Sequence, residues 1–391
     1  MNSLRFDNTR SEKISEQHKG SLEWLWEHEK YVAWSSTDSS DLLLIEGKPG
    51  SGKSTLMKYF QRSLLEREHQ GKQIVASFYY SYREGERQTN HSNMLRSVLH
   101  DVLDQNEAFF FHFQPYYRQA AKRDGQPQWS YDSLKKVLLS FAKKHPVNER
   151  VYLIVDAVDE SDDAERFDII ELLRELCAAK GPCIVKVFVA SRPVVGLSGN
   201  SAMSNKMIRL QDVNHSDIVA FAESFLGPDL GLPLDISRQA SDYIARNAQG
   251  VFVWVRLVRE ELLKYARSGC TQNQVITYLE SLPTELEGFY RRILTELERG
   301  EEQDVEIGRM MLLFVLFAFR PLRPEELRQA LAIRESPDGT FSCSDESFKG
   351  ELIHGIEKRI ISCAGNFLEI KGRGGMLSPG EIVRIFGLIE R

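Results

Sequence analysis

The chain has 391 residues, 42% hydrophobic and 27% charged, with a formal net charge of −6. A single hydrophobic core serves at most roughly 250 to 300 residues, so we expect a soluble globular protein of two or more domains. The acidic balance argues against broad electrostatic binding to nucleic acid, and we therefore expect no nucleic-acid partner.

The five cysteines, an odd number, show neither a C-x-x-C pair nor a zinc-type spacing to histidine. This pattern favours a reducing compartment over a secreted disulfide framework. The N-terminus lacks the apolar segment of a signal peptide. The most apolar run, Met310 to Phe319, has ten residues, whereas a membrane-spanning helix needs roughly 20. We expect a cytoplasmic protein without a membrane span.

Residues 1–40 are predicted to form an N-terminal helical segment, with a helix over about Leu22 to Trp34 whose aromatic side chains pack as core. A short apolar strand, Leu42 to Ile45, comes next. It is followed by GKPGSGKST, Gly47 to Thr55, which satisfies G-x-x-x-x-G-K-[ST] between a strand and a helix. That is a P-loop in its required context.

Glycines in such a loop let successive backbone N–H groups turn toward phosphate oxygens, while the following helix presents its positive N-terminal end. We predict that Lys53 reaches the β- and γ-phosphates and that the Ser54 hydroxyl ligates Mg²⁺. The predicted nucleotide-binding residues are Gly47, Pro49, Gly50, Ser51, Gly52, Lys53, Ser54 and Thr55.

Strand and helix patterns alternate from residue 41 to about 212, which predicts an α/β doubly wound domain. The later strands are predicted at Ile74 to Tyr80, Val151 to Asp156, Cys183 to Ala190 and Met207 to Leu210. The helices between them are predicted at Thr55 to Arg67, Asn93 to Leu103, Ser133 to Lys144 and Ala164 to Ala179.

From Ser216 onward no strand pattern is visible until near the end of the sequence. Helices are predicted at Asp217 to Phe225, Ile236 to Asn247, Val251 to Ala266, Thr271 to Leu279, from Pro283 onward, Val305 to Phe319 and Glu325 to Ile333. No internal repeat of 20 to 50 residues is visible. The sequence therefore predicts a helical region that follows the sheet domain.

Ligands of open α/β sheets bind at the carboxyl ends of the strands, so the P-loop, Asp156 and Arg192 are expected to meet in one crevice. Asp156, which ends VYLIVD, is placed to hold Mg²⁺ directly or through water. Asp159 and Glu160 follow in DAVDE, and either could activate the attacking water. We favour Glu160 as the base, with Asp159 as a carboxylate on the metal side. Arg192 is predicted to contact the γ-phosphate.

Guanine-specific P-loop proteins usually read the base with an N-K-x-D box. The nearest match, from Asn205 to Ile208, reads NKMI and lacks the acid. Guanine selectivity by that device is not supported, and the choice between ATP and GTP stays open.

The segments GKPGSGKST, LIVDAVDE, VFVASRP, GVFVWVRLV and LPTELEGFYRRIL together resemble NACHT-domain STAND NTPases of filamentous fungi, from about Leu4 to Ile370. These NLR-like proteins have a nephrocystin-3-like N-terminal domain. The resemblance implies a P-loop NTPase fold with a parallel five-stranded sheet of the ASCE/STAND type. It also implies the domains 41–212 (NACHT), 213–300 (helical lid) and 301–391 (winged-helix-like).

The functional implication is a signalling switch that rests with ADP and is activated by exchange to ATP or GTP in the presence of Mg²⁺. It would form a homo-oligomer or associate with related NACHT proteins in non-self recognition, heterokaryon incompatibility or programmed cell death. By resemblance, Lys53 and Ser54 bind phosphate and magnesium, and Arg192 is the sensor-1 arginine. Alternatives from other classes are a nucleotide-holding scaffold with little hydrolysis and a P-loop kinase, the latter disfavoured because no acceptor-binding signature is visible.

Two departures from the family matter. We expect neither the N-terminal effector nor the C-terminal repeat sensor of typical members in this chain. In relatives a histidine motif that contacts the nucleotide follows the segment resembling RIISCAGNFLEI, whereas the tail here, KGRGGMLSPGEIVRIFGLIER, has no histidine. We therefore expect a truncated, alternatively spliced or mis-predicted product, with an incomplete winged-helix domain and weakened retention of ADP.

Overall fold

The computed structural model describes residues 4–6, 10–67, 73–121, 129–194, 197, 205–333, 345–364, 367–371 and 382–385. The chain divides into two compact units, Met1–Phe221 with Gln249–Val251, and Ala222–Ala248 with Phe252–Arg391. The predicted loop at 196–205 and the tail after residue 371 lie largely outside the described residues. The domain boundaries expected after residues 40, 212 and 300 stay predictions.

A parallel five-stranded sheet forms the centre of the first unit, as the sequence predicts. Its strands are β1 Asp41–Glu46, β2 Gln73–Tyr79, β3 Arg150–Asp156, β4 Ile184–Ser191 and β5 Met207–Arg209. They are ordered β2-β3-β4-β1-β5, so β4 lies between β1 and β3, as in ASCE P-loop proteins. Glu46 is opposite Ser191, and Tyr79 is opposite Asp156. The carboxyl ends of four strands therefore meet at one edge.

Both faces of the sheet are buried, because side chains along a strand alternate in direction. In β1, Leu42 and Leu44 join a core cluster on one face, while Leu43 and Ile45 join the cluster on the other. Helices cover both clusters, and this explains why the strands read as continuous apolar runs in the sequence.

The helices of the first unit agree with the predicted ones to within a few residues. They are α1 Arg10–Lys13, α2 Trp24–Glu27, α3 Glu29–Ser36, α4 Lys53–Arg67, α5 Glu86–Thr89, α6 His91–Gln105, α7 Phe110–Ala121, α8 Tyr131–Lys144, α9 Arg166–Ala178, α10 Leu210–Val213 and α11 His215–Leu226, which runs on into the second unit. Short 3₁₀ turns lie at Tyr82–Glu84, Glu107–Phe109 and Val158–Glu160.

The single helix predicted over Leu22 to Trp34 is wrong in one respect, because the chain breaks at His28 into α2 and α3. His28 is extended, with φ −65° and ψ 127°, and its Nδ1 accepts a hydrogen bond from Lys30 N at 3.2 Å. It therefore caps a new helix instead of continuing the old one. The expected core role of the aromatic side chains is confirmed, since Trp34 and Tyr31 are buried against α4 and the sheet.

Two buried charged residues fix this N-terminal segment. Lys186, which is fully buried in β4, donates hydrogen bonds from Nζ to Trp34 O at 2.6 Å and Thr37 Oγ1 at 2.7 Å. At the other end, the Asp217 carboxylate accepts hydrogen bonds from Leu22 N at 3.2 Å and from the Trp24 indole N–H at 3.0 Å.

The second unit is helical, as the sequence predicts, and two short strands near its end pair antiparallel. Its further elements are α12 Leu234–Ala248, α13 Phe252–Ala266, α14 Gln272–Glu280, α15 Leu286–Glu298, α16 Glu302–Phe317, α17 Pro324–Ala332, α18 Asp345–Glu351, α19 Ile356–Ala364, β6 Leu368–Lys371 and β7 Ile382–Ile385. Met311, Leu327, Ile360 and Val383 contribute to one core cluster. Among the described residues, no helix is long and apolar enough to cross a bilayer.

Candidate nucleotide-binding site

The P-loop connects the end of β1 to the start of α4, and two of its glycines have positive φ angles. Gly50 and Gly52 adopt φ values of 74° and 93°, which residues with a side chain rarely adopt. Lys53 is 5% exposed, and its ammonium donates to Gly47 O at 2.9 Å and to Lys48 O at 3.0 Å. The lysine side chain is thus folded back over the loop in which phosphate is expected to bind.

The loop closes tightly around this lysine. A Cβ atom on Gly47 would lie 2.6 Å from Ser51 Oγ and 3.3 Å from Lys53 Cγ, so a side chain at this position would displace its neighbours. Ser51 Oγ is buried and has no hydrogen-bond partner within the described part of the chain. These features fit a cradle for phosphate oxygens.

Asp156 ends β3, one strand away from β1, and its side chain is 1% exposed. Neither carboxylate oxygen has a hydrogen-bond partner within the described residues. Burial raises the pKa of Asp156 to about 6, and the nearby Ser54 hydroxyl is the largest influence that lowers this pKa. The contact between Ser54 and Asp156 does not meet the geometry of a hydrogen bond. Buried oxygens without partners are costly. A hard cation held between Asp156 and Ser54 would satisfy them.

These residues fit the way in which Mg²⁺ is usually bound, through one or two protein oxygens together with phosphates and water. Among the described residues, no group of three or more histidine, cysteine or acidic side chains is arranged as a metal centre.

Glu160 lies beyond Asp156, at the end of a short 3₁₀ turn. Ala157 starts this turn in the left-handed region, with φ 56°, and redirects the chain immediately after the strand. The Glu160 side chain is 8% exposed, and its Oε2 accepts a hydrogen bond from Tyr82 N at 3.1 Å. Burial raises the pKa of Glu160 to about 7, which is suited to proton transfer near neutral pH.

Asp159 has a different environment, because it pairs with the end of β4. Its Oδ1 accepts hydrogen bonds from Arg192 N at 3.0 Å and from Ser191 Oγ at 3.2 Å. The Arg192 guanidinium Nε lies 3.3 Å from Asp159 Oδ2. The structure thus brings both residues to the same edge of the sheet as Asp156, with Arg192 held by Asp159.

The sequence interpretation missed a group of contacts on the P-loop. Asn214, fully buried, donates from Nδ2 to Gly250 O at 2.9 Å and to Ser51 O at 3.4 Å. The Lys48 ammonium donates to Gln249 Oε1 at 3.2 Å. Gly250 has a φ of 82°, and a Cβ atom there would lie 2.4 Å from Gln211 Cβ.

The only sequence signal for Asn214 is an asparagine directly before a helix, which predicts a helix cap. A second missed residue is Arg10, which lies in a polar stretch without a motif but is only 6% exposed. Its position is set by contacts between segments far apart in the sequence, and no local pattern indicates them.

Comparisons with known proteins find sequences related to this chain. Residues 20–192 match the family model described as nephrocystin 3, N-terminal. The vegetative incompatibility protein HET-E-1 of Podospora anserina is 25% identical over 365 residues, covering 91% of this chain and 25% of the relative. The chain thus spans about a quarter of the length of that curated relative.

Solved structures show looser likenesses. The Drosophila ORC bound to DNA gives a TM-score of 0.41 at 10% identity, covering 98% of this chain and 89% of the other. The Walker-type ATPase PABY2304 of Pyrococcus abyssi gives 0.40 at 14% identity, covering 96% and 97%. Both TM-scores are below 0.5, and neither supports a conclusion about function. The family match and the fungal relative agree with the resemblance of this chain to NACHT-domain, NLR-like proteins.

Proposed function

We propose that this protein is a signalling switch that binds ATP or GTP with Mg²⁺, hydrolyses it slowly and rests with ADP. The observation on which the proposal mainly depends is the pairing of a tight P-loop with a buried Asp156 whose two oxygens have no hydrogen-bond partner in the described chain. Both lie at the carboxyl edge of the sheet, where α/β proteins bind ligands.

In this proposal Lys53 leaves Gly47 O and Lys48 O and binds the β- and γ-phosphates. The N–H groups of the loop and of the start of α4 bind the remaining phosphate oxygens. Glu160 takes a proton from the attacking water, which it orients from its position beside Tyr82 N. Mg²⁺, held by Asp156 and Ser54, would supply charge neutralisation on the phosphate oxygens.

Two features favour slow turnover. With a pKa of about 7, Glu160 is half protonated near neutral pH and is then unable to accept a proton. Arg192, the candidate for contact with the γ-phosphate, is bound to Asp159 by its backbone N–H and its guanidinium. Hydrolysis would require the Arg192 guanidinium to separate from Asp159.

The first test replaces Glu160 with glutamine, which keeps the shape and one acceptor for Tyr82 N but cannot take a proton. We expect phosphate release to fall by about 10²-fold or more, the usual contribution of a general base. Affinity for ADP should stay within about threefold, a difference below 1 kcal/mol. Wild-type turnover should rise between pH 6 and pH 8 as Glu160 ionises.

Two further variants serve as controls. Lys53→Ala should abolish nucleotide binding itself, measured by titration calorimetry. Asp159→Asn tests the other carboxylate, and if it removes turnover while Glu160→Gln does not, the assignment of the base is wrong.

A second candidate function is a nucleotide-stabilised scaffold with little hydrolysis, acting through association with fuller relatives. The Asp159–Arg192 pair favours it, because an arginine held in this way contributes nothing to a developing phosphate charge. Binding of nucleotide without phosphate release over hours would support the scaffold over the switch.

The biological context of the proposal comes from the relative, whose name describes a vegetative incompatibility protein. We infer a role in non-self recognition or programmed cell death, exerted through a homo-oligomer or through related NACHT proteins. Sedimentation of the purified protein with ADP and with a non-hydrolysable triphosphate tests it, and an unchanged monomer in both would contradict oligomerisation.

A further inference from the structure

The chain that follows β2 lies along the chain that follows β3 and carries Glu160. Three hydrogen bonds join the two segments: Tyr80 N donates to Asp156 O at 3.1 Å, Tyr82 N to Glu160 Oε2 at 3.1 Å, and Asp162 N to Thr89 O at 3.2 Å. Of these three, the middle one ends on a side chain. The backbone of the 3₁₀ turn Tyr82–Glu84 therefore fixes one oxygen of the Glu160 carboxylate.

This turn has little support of its own. Tyr82 is 74% exposed, so core packing contributes little to its position. The backbone hydrogen bonds from Glu84 N to Ser81 O and from Gly85 N to Tyr82 O are both 3.3 Å long, and short 3₁₀ turns have poor hydrogen-bond geometry. The position of the Tyr82 amide therefore depends on contacts from outside the turn.

Lys13 supplies such a contact. Its Nζ lies 2.8 Å from Oε1 of Glu84, the last residue of the turn. The Glu84 side chain is 11% exposed and that of Lys13 is 28% exposed, and an ion pair shielded from water in this way is screened less by salt than one at the surface. The pair thus fixes the end of the turn to the N-terminal segment, which precedes the matched family region.

The N-terminal segment is itself attached to the nucleotide-binding helix. Lys58, on α4, donates from Nζ to Ile14 O at 2.8 Å. Arg62, one turn further along α4, donates to Gln17 Oε1 at 2.9 Å. Residues 13–17 thereby connect the helix that follows the P-loop to the turn that contacts the proposed base.

We propose that Lys13 is a positioning residue for hydrolysis, because its ion pair with Glu84 fixes the turn that orients Glu160. The inference rests on the proposed function for the role of Glu160 as base. With Oε2 held by the Tyr82 amide, Oε1 takes the water proton while the water oxygen bonds to the γ-phosphorus and the bond to the bridging oxygen breaks. A displacement of about 1 Å in such a group can cost about 10²-fold in rate.

The test compares Lys13→Met with Lys19→Met in the full chain. Lys19→Met is the matched control, because it makes the same substitution in the same segment at an exposed residue. We expect Lys13→Met to lower kcat for phosphate release about tenfold, with KM and ADP affinity within threefold, because the nucleotide contacts stay unchanged. Lys13→Arg, which keeps the charge, should recover most of the loss, and Lys19→Met should match the wild type.

Glu84→Gln removes the same ion pair from the other side. It should lower kcat as Lys13→Met does, and the double variant should lose no more than either single variant, because both changes remove one interaction. Losses that multiply in the double variant would show that the two residues act separately, and this would overturn the proposal.

A second readout does not depend on turnover. Hydrogen exchange of the Tyr82 amide, followed by NMR in nucleotide-free protein, reports whether this amide stays bonded to Glu160. Exchange should be at least tenfold faster in Lys13→Met than in the wild type or Lys19→Met, with Glu160→Ala giving the rate of the free amide. If the wild type releases no phosphate, the proposed hydrolysis fails, yet the exchange rates still decide whether Lys13 positions the turn.

Unchanged kcat together with unchanged exchange of the Tyr82 amide in Lys13→Met would overturn the proposal. An equal loss in Lys19→Met would also overturn it, because the effect would then follow from the charge of the segment and not from the pair with Glu84. If Lys13→Met shows no cooperative thermal transition, Lys13→Arg and Glu84→Gln are compared instead, and equal turnover in these two would contradict the role of the pair.

Discussion

Asn214 joins two backbone segments of the first unit. Its side-chain N–H₂ donates to the carbonyl of Gly250 and to that of Ser51 in the P-loop. Because both partners are carbonyl oxygens, the Asn214 side-chain atom that faces them is the amide nitrogen. The tight left-handed turn at Gln249 and Gly250, with φ values of 48° and 82°, is thus connected to the phosphate-binding loop by one buried side chain.

Replacing Asn214 with aspartate should weaken nucleotide binding. A carboxylate would place an oxygen against two carbonyl oxygens, with a cost of about 1–3 kcal/mol for the groups left without a donor. We expect ADP affinity to fall about tenfold, since 1.4 kcal/mol corresponds to that factor. Titration calorimetry measures the change.

Asn247→Asp provides the control for this substitution, because Asn247 donates to a single backbone carbonyl, Tyr243 O, within its own helix. Its ADP affinity should equal that of the wild type. Full affinity in Asn214→Asp would show that the P-loop does not need this contact.

At the scale of elements, the N-terminal segment is held to the first unit by residues distant in sequence. Asp217 is 5% exposed and lies in the first turn of α11. Leu22, to which its carboxylate is bonded, has a φ of 70°, a strained value for a leucine. The hydrogen bonds to Asp217 therefore hold the chain in a conformation that its own sequence disfavours.

Asp217→Ala should lower the free energy of unfolding by about 2–3 kcal/mol, because it leaves the buried N–H of Leu22 and the half-buried indole N–H of Trp24 without an acceptor. Asp217→Asn keeps one acceptor. Burial raises the pKa of Asp217, so loss of its charge should cost less than loss of both acceptors. For Asp217→Asn we expect the free energy of unfolding to fall by about 1 kcal/mol. Urea unfolding followed by tryptophan fluorescence measures both, and equal losses in the two variants would contradict this account.

At the scale of the whole molecule, several buried groups have opposite effects on how the free energy of unfolding changes with pH. His112 Nε2 lies 3.3 Å from His145 Nδ1, and the His145 ring stacks on Phe109 with centroids 3.9 Å apart. Burial lowers the pKa of His112 to about 4, helped by the charges of His145 and Lys144. Burial also lowers the pKa of His145, opposed by Glu149.

A folded-state pKa below the unfolded value means that the unfolded chain binds more protons. The stability contributed by neutral His112 is therefore complete above the unfolded pKa of about 6.5 and is lost as pH falls toward about 4. Buried Asp101 and Asp156 act in the opposite sense, because their pKa values are raised to about 6.

His112→Gln separates the two effects, since glutamine keeps polar contact but does not titrate. We expect the drop in urea midpoint between pH 7.5 and pH 5.0 to be smaller in His112→Gln than in the wild type. The exposed His215 provides the control variant, His215→Gln, with an unchanged drop. A drop as large in His112→Gln as in the wild type would rule out this histidine as the source.

The sequence by itself determined the features that depend on local chemistry. Strands buried on both faces read as continuous apolar runs, and the P-loop needs glycine and lysine at fixed spacing. The five-stranded sheet, the helical second unit and the position of Asp156 at a strand end could all be predicted. The break at His28 was missed although its cause is local, because the Nδ1 atom of His28 accepts the N–H of Lys30 and caps a new helix.

Only the tertiary structure decided which distant residues meet at the sheet edge. Asp159 and Glu160 are neighbours in one acidic stretch, yet Asp159 pairs with Arg192 from β4 and Glu160 receives the amide of Tyr82. Asn214 lies beside the P-loop without any motif. Its contacts depend on burial and on backbone carbonyls contributed by other segments, and these are set only after the chain has folded.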